Sequence, residues 1–253
     1  MLKKASVVFI VVFAVFFFAV RHASAGDGRT LRVAAASDLT YALREIAAAF
    51  EKESGTTVVV SYGSSGALSE QIDKGAPFDV FLSADAARAE RLAARGGVMP
   101  DTLSVYAKGV IVMAYKDGGR SPKTLRDLLS PSIKRIAIAN PSHAPYGRAA
   151  IEALISEGIM EVVKDKLVYG ENVRQAMQYL ERGEVDAAII ARSIADVRGV
   201  SFNAISASSY KTIAQTSAVV SSTKEEALAR GFLDYMKKPA TLETLKKYGF
   251  ILP

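Results

Sequence analysis

One stretch decides how this sequence folds: it reads VSYGSSGAL and covers residues 60–68. The β-branched residues 56–60 favour a strand, and residues 67–72 favour a helix. Two glycines allow a sharp turn between them, and Ser64 and Ser65 stand where the helix begins. A helix start offers unpaired N–H groups and partial positive charge, so serines there can help to hold an anion. The simpler interpretation is that one serine only caps the helix.

The same order of elements occurs on both sides of this stretch. The apolar run 31–36 predicts a strand that ends at Ser37 and is followed by a helix. The run 78–82 predicts another strand, followed by a helix over 86–94. Such a pattern with short links predicts a parallel sheet covered by helices on both faces. Ligands bind beyond the carboxyl ends of these strands, which is where Ser37 and Ser64 fall.

A second unit of similar size follows and then returns to the first. Its predicted strands cover residues 105–115, 133–139, 167–169 and 185–191, and a strand over 215–222 leads back. We therefore expect an α/β protein with two lobes, each a mainly parallel sheet flanked by helices, joined by two crossing strands. Lobe I takes residues 26–107 plus 219–253, and lobe II, residues 108–218, is inserted. Two lobes joined in this way form a hinge and a cleft that can close around a ligand.

The N-terminus has the pattern of a secretory signal peptide over residues 1–25. Lys3 and Lys4 precede an apolar run over 5–20, and residues 23–25 read ASA, a small-residue cleavage site. An uncleaved anchor is the alternative, because the run approaches the length of a membrane span. The chain contains no Cys, which excludes a lipid-attached Cys and a disulfide framework. We expect a protein that is soluble outside the cytoplasmic membrane.

The charge pattern argues against a nucleic-acid partner. The 32 basic and 26 acidic residues give a formal charge of +6, and the two signs are interspersed along the chain. Neither a basic tract nor a basic stretch interleaved with aromatic residues occurs. The excess of basic residues therefore predicts only a mild attraction for anions.

Six segments in order resemble the periplasmic molybdate-binding proteins of ABC importers, a branch of the type II substrate-binding proteins. The matching segments are residues 33–39, 62–66, 75–85, 140–147, 170–173 and 247–250. The resemblance implies a monomer that binds molybdate or tungstate in the cleft, uses no cofactor and catalyses no reaction. It also implies a periplasmic location, with a membrane permease and a cytoplasmic ATPase as partners.

The resemblance further implies which residues hold the oxyanion. Ser37 and Ser64 would each offer a hydroxyl and a backbone N–H, and Tyr146 and Val173 would offer backbone N–H groups at two helix starts. No residue would bind the metal atom directly. Many relatives add a tyrosine hydroxyl at the position of Ala191, so one donor is missing here. We hypothesise that the Tyr146 hydroxyl replaces it.

Two further residues allow two interpretations each, and three are interpreted as structural. Ser65 is a helix cap or an additional donor, and Arg148 is an interlobe residue or an additional contact to the anion. His143 stands alone in its loop, without a second metal-ligating residue at a suitable spacing, and is interpreted as structural. Asp79 and Asp85 follow or end strands, and we interpret them as capping and hinge-region carboxylates.

The chemistry of the anion is consistent with a site built from neutral donors. Molybdate is a dianion whose four oxygens all accept hydrogen bonds, whereas a protonated oxyanion such as phosphate also needs an acceptor. Charge spread over several helix starts makes a buried Lys or Arg unnecessary. Sulfate has the same charge and shape but is smaller, so a protein that binds sulfate or another tetrahedral oxyanion remains an alternative.

Two other classes of protein are disfavoured. A secreted serine hydrolase could use the turn at 63–66, but the G-x-S-x-G motif is absent, and the two histidines are His22 and His143. The sensor lobe of a regulator would share the fold, but the predicted signal peptide and the lack of a DNA-binding helix pair argue against it.

Overall fold

The computed structural model describes residues 28–119 and 121–253 of the 253-residue chain, so the predicted signal peptide lies outside the described residues. The chain begins with β1 (Thr30–Ala36), α1 (Thr40–Ser54), β2 (Thr57–Gly63), α2 (Ser65–Asp73), β3 (Val80–Ser83), α3 (Ala86–Ala94) and β4 (Ser104–Gly109). It continues with β5 (Ile111–Lys116), β6 (Ile136–Ala139), α4 (Pro145–Ser156), α5 (Met160–Val163), β7 (Leu167–Gly170), α6 (Val173–Glu181), β8 (Ala187–Ala191) and β9 (Val200–Ala204). It ends with β10 (Ile213–Val219), α7 (Glu226–Tyr235) and α8 (Pro239–Lys247).

The strands form two five-stranded sheets, which confirms the predicted two-lobed α/β fold. The first sheet has the order β2-β1-β3-β10-β4, and the second has the order β7-β6-β8-β5-β9. In each sheet four strands run in one direction, and a single strand, β10 in the first sheet and β5 in the second, runs antiparallel to both of its neighbours. Both sheets are therefore mixed but mainly parallel, because the one reversed strand lies between strands that share a direction.

The two crossings between the sheets differ from the prediction in position. The expected strand over 105–115 is divided at Val110, so that β4 lies in the first sheet and β5 lies in the second. The return occurs between Ala204 and Ile213, earlier than the predicted boundary at 218. All of β10 pairs in the first sheet, where Ile213 lies opposite Gly109. Residues 213–218 thus belong with the first sheet, because an apolar strand looks the same in sequence whichever sheet buries it.

Each sheet is buried on both faces by helices, as expected for a parallel core. In β1, Leu31 and Val33 pack in one apolar cluster with α1, α7 and α8. The intervening Ala34 packs on the opposite face with Phe81, α2 and α3.

Helix α1 buries the apolar positions that its sequence period predicts and ends at Gly55, whose φ of 70° favours glycine. Outside residues 1–27 and 120, no helix is both long and apolar enough to cross a bilayer.

Candidate anion-binding site

A small cavity lies between the lobes, where β1, β2 and β3 end, where α2, α4 and α6 start and where a 3₁₀ turn follows β1. Its lining consists of Ala36, Ser37, Asp38, Gly63, Ser64, Ser65, Ala84, Ala144, Pro145, Tyr146 and Val173. The empty space among these residues is about 190 Å³, part of which is open to solvent. None of the eleven is Lys or Arg. The cavity can therefore enclose only a small ligand, and neutral donors dominate its lining.

The two serines predicted as ligands both line this cavity and are almost fully buried. Ser37 begins a single 3₁₀ turn between β1 and α1, and its carbonyl accepts a hydrogen bond from the Thr40 hydroxyl at 2.6 Å. Ser64 is the N-cap of α2, and its Oγ accepts from the backbone N–H of Ala67 at 3.3 Å. Ser64 thus caps its helix and faces the cavity at the same time, so the two interpretations do not exclude each other.

Ser65 is fully buried, and its hydroxyl has a structural partner. Its Oγ accepts a hydrogen bond at 2.9 Å from the backbone N–H of Ala84, in the turn that follows β3. This bond fixes the start of α2 against the neighbouring strand end. Ser65 lines the cavity, but its hydrogen bond with Ala84 connects two segments of the cavity lining.

The second lobe contributes the starts of α4 and α6. Tyr146 is the second residue of α4, and Val173 is the first residue of α6. Asn172 caps α6 by accepting from the N–H groups of Arg174 and Gln175 at 3.0 and 3.1 Å, which leaves the N–H of Val173 outside the cap. The first N–H groups of a helix have no partner within the helix, so both positions can offer one to a ligand.

The Tyr146 hydroxyl does not replace the donor missing at Ala191. It donates instead to Oδ2 of Asp38, at 2.8 Å, and the Gln215 amide donates to the same oxygen at 2.7 Å. A buried carboxylate needs such donors, and Tyr146 is only 2% exposed. Burial, and then the Asp38 charge, raises the pKa of Tyr146 well above 10, so that the hydroxyl keeps its hydrogen.

Asp38 is a residue of this site that the sequence reasoning missed. It lines the cavity without being exposed to solvent, and its carbonyl accepts from the Ser193 hydroxyl at 2.8 Å. Burial raises the pKa of its carboxyl group to about 6, although the hydrogen bonds from Tyr146 and Gln215 act in the opposite direction. Its Oδ1 has no hydrogen-bond partner among residues 28–119 and 121–253. The sequence feature that could have indicated Asp38 is the position of an acidic residue just after a buried strand.

Backbone and side-chain contacts join the lobes directly around the cavity. The N–H of Gly66 donates to the carbonyl of His143 at 3.0 Å, and a Cβ at Gly66 would lie only 2.6 Å from that oxygen. Arg88 donates to the carbonyl of Ser142 at 3.1 Å. The described arrangement is therefore a closed cleft, and Gly66 is required for the close approach.

Arg148 joins the lobes and does not line the cavity. Its guanidinium pairs with the Asp85 carboxylate of lobe I, and Asp85 also accepts from the N–H of Arg88 as the cap of α3. Asp79 instead ties elements of lobe I together, accepting from the N–H of Arg32 at 2.7 Å and from the Thr223 hydroxyl at 2.6 Å.

The chain is similar in sequence to proteins of known class. Over residues 31–251 the chain matches the family described as bacterial extracellular solute-binding protein. The chain belongs to this family. The molybdate-binding protein ModA of Rhodobacter capsulatus is 35% identical over 219 residues, which cover 86% of each chain. The ModA of Escherichia coli is 35% identical over 246 residues, which cover 93% of this chain and 94% of that one.

A solved structure agrees with the sequence comparison. The periplasmic molybdate-binding protein of Azotobacter vinelandii superposes with a TM-score of 0.84 at 32% identity, covering 88% of this chain and 99% of that chain. The resemblance read from the six segments is thus confirmed, and the type II fold with it. The family description also agrees with the predicted location outside the cytoplasmic membrane.

In this solute-binding protein, Ala191 has no donor role. It ends β8, is fully buried and pairs with Ile111 of β5, away from the cavity lining. Where the chain is described, no three His, Cys, Asp or Glu side chains are grouped to hold a metal ion.

Proposed function

We propose that this solute-binding protein captures molybdate, and tungstate as a second ligand, in the cavity between its lobes. The proposal rests on one small cavity without Lys or Arg, on which the starts of α2, α4 and α6 and the 3₁₀ turn at Ser37 converge. Helix starts stabilise anions through unpaired N–H groups and the helix dipole, and several of them together suit a dianion. The names of the relatives from Rhodobacter capsulatus and Escherichia coli support the choice of ion.

The oxyanion is held by groups from both lobes, so its capture and the closure of the cleft are one event. Ser37 and Ser64 offer hydroxyl and N–H donors from lobe I, and Tyr146 and Val173 offer N–H donors from lobe II. A ligand that contacts both lobes stabilises the closed form by its differential affinity for that form.

The closed protein then delivers the ion to the membrane permease of an ABC importer, which a cytoplasmic ATPase drives. In this proposal the protein acts as a monomer in the periplasm after removal of residues 1–25, and it catalyses no reaction. The predicted signal peptide and the solute-binding family support this part.

Isothermal titration of the processed protein with molybdate, tungstate, sulfate and phosphate tests the proposal. We expect one-to-one binding of molybdate and tungstate and at least tenfold weaker binding of sulfate, since a smaller anion leaves donors unsatisfied. Binding of sulfate alone would show that this is a sulfate-binding protein and would overturn the proposal for molybdate. Tight binding of phosphate would mean that Asp38, the carboxylate in the lining, accepts the phosphate O–H.

A hydrolase is the second candidate, because Ser64 and His143 do meet. The Ser64 Oγ lies 2.8 Å from Nδ1 of His143, a distance at which a histidine could act as base to a nucleophile. The small cavity and the solute-binding family argue against it. Assays with small ester substrates decide between the candidates: we expect no turnover, and turnover that His143→Ala abolishes would overturn the binding function.

A further inference from the structure

His143 occupies a position between the two lobes that its isolation in the sequence did not indicate. It lies in the loop before α4, and its side chain is 21% exposed. One ring nitrogen, Nδ1, is 2.8 Å from the Ser64 Oγ across the cleft. The other, Nε2, is 3.6 Å from a carboxylate oxygen of Glu171, just before α6. The ring therefore connects a serine that lines the cavity with the segment that leads to Val173.

The direction of the hydrogen bond between Ser64 and His143 decides what Ser64 can offer a ligand. A serine hydroxyl has one hydrogen to donate and two lone pairs to accept. If Nδ1 of His143 carries no hydrogen, Ser64 donates to it and has no hydrogen left for an oxyanion. If Nδ1 carries a hydrogen, Ser64 accepts from His143 and from the N–H of Ala67, and its own hydrogen is free.

We propose that His143 is a positioning residue: in the ligand-bound protein its Nδ1–H donates to Ser64 and directs the Ser64 hydroxyl hydrogen towards the oxyanion. This inference rests on the proposed function, since it requires an anion in the cavity. The Ser64 Oγ then accepts from the N–H of Ala67 and from Nδ1–H, so both its lone pairs are used and its own hydrogen is left for the anion.

The proposal reverses the proton arrangement that a hydrolase would need. A catalytic histidine accepts the serine hydrogen in order to generate a nucleophile. In the binding protein the histidine donates, and the serine acts as a donor to the ligand. Whether Nδ1 carries a hydrogen in the ligand-bound protein can be measured directly. A contact that is merely structural would not require a hydrogen on that nitrogen.

Nitrogen NMR of the processed protein gives this readout, because His143 is the only histidine once residues 1–25, which contain His22, are removed. In the molybdate-saturated, ¹⁵N-labelled protein we expect the Nδ1 chemical shift and coupling of a nitrogen that carries a hydrogen. A hydrogen-free Nδ1 in that complex would overturn the proposal.

A double-mutant cycle tests whether His143 acts through Ser64. We expect His143→Phe to weaken molybdate binding by about tenfold or more in the wild-type background, and by less than twofold in the Ser64→Ala background. His143→Asn, whose amide can still donate to Ser64, should retain more affinity than His143→Phe. Arg88→Gln is the matched control, because it removes another contact between the lobes and should weaken binding equally in both backgrounds.

The outcomes separate this inference from the function on which it rests. Equal losses for His143→Phe in both backgrounds, with intact binding by the wild-type protein, would overturn the role of His143 and leave the proposed function standing. No binding of molybdate by the wild-type protein would overturn both.

Discussion

The Tyr146 hydroxyl of lobe II donates a hydrogen bond to the Asp38 carboxylate of lobe I, across 2.8 Å and without access of solvent. Gln215 donates to the same carboxylate oxygen and also lies 3.2 Å from the Tyr146 hydroxyl. A polar cluster thus joins the lobes beside the candidate anion site. The Tyr146 contact joins residues of different lobes, so any energy that it gives to the closed form adds to ligand affinity.

Removing the Tyr146 hydroxyl should weaken the closed form without altering the choice of anion. We expect Tyr146→Phe to reduce molybdate and tungstate affinity by the same factor, about tenfold, because the buried Asp38 loses a donor. Titration calorimetry with both anions measures this. Unchanged affinity would mean that the hydrogen bond contributes nothing to closure, and a changed preference between the anions would indicate direct contact of the hydroxyl with the ligand.

Asp38 should make the folded protein less stable as the pH rises from 4 to 7. The pKa of its carboxyl group is about 6 in the folded protein and near 3.8 when exposed, so the unfolded chain loses the proton first. The stabilisation is complete below about pH 4 and is lost as the pH passes through 6, by at most roughly 3 kcal/mol. We expect Asp38→Asn to remove this decline in denaturant unfolding experiments from pH 4 to 8.

Asp127, a surface aspartate, provides a control because its contribution to stability should change with pH in the opposite direction. The backbone N–H groups of Thr124 and Lys123 lower the pKa of Asp127, so its contribution is present above its unfolded pKa and is lost on acidification. Asp127→Asn should therefore destabilise the protein at neutral pH and have less effect at pH 3. If Asp38→Asn and the wild-type protein showed parallel pH profiles, the burial argument for Asp38 would fail.

Substitution of Ser37 or Ser64 should have similar effects on ligand binding but different effects on the stability of the fold. Ser37→Ala and Ser64→Ala should each weaken molybdate binding about tenfold or more, because each removes a donor to a charged ligand. Ser64→Ala should in addition lower the unfolding free energy by about 1 kcal/mol through loss of the α2 cap, whereas Ser37→Ala removes no side-chain cap.

Calorimetry and thermal melts of the ligand-free serine variants provide the comparison. Ser221→Ala, at an exposed serine in lobe I, is the control for removal of a hydroxyl and should change neither quantity. Full affinity in Ser37→Ala or Ser64→Ala would exclude that serine as a ligand.

A methyl group at Gly66 should keep the cleft from closing fully. The added Cβ would lie 2.6 Å from the His143 carbonyl oxygen, and that backbone position cannot be relieved by a side-chain rotation. We expect Gly66→Ala to weaken anion binding at least tenfold and to leave the protein more extended in solution scattering with molybdate.

Gly231→Ala is the matched control for Gly66→Ala. It places the same methyl group inside α7, where nothing lies within 4 Å, and helix propensity predicts a small gain in stability with unchanged binding. A Gly66→Ala protein that binds and compacts like the wild type would show that the described closure is not needed for binding.

Sequence alone determined the local parts of this protein. The alternation of apolar strands with serine-bearing turns at 37 and 64 predicted parallel strands, helix starts and the edge at which a ligand can bind. Positions Tyr146 and Val173 came from the family resemblance, and the structure brings both to the same cavity as the serines. These features depend on residues close in sequence, whose periodicity and turn chemistry act before any packing.

Only the tertiary structure decided how the two lobes meet. Asp38 and Tyr146 are 108 positions apart, and Ser64 and His143 are 79 apart, so no local pattern connects either pair. The same holds for β10, whose apolar sequence fits both sheets until its register with β4 is known. Such contacts depend on the relative placement of two separately packed cores. The physical reason is that local propensity specifies elements, whereas long-range pairing of buried polar groups specifies their arrangement.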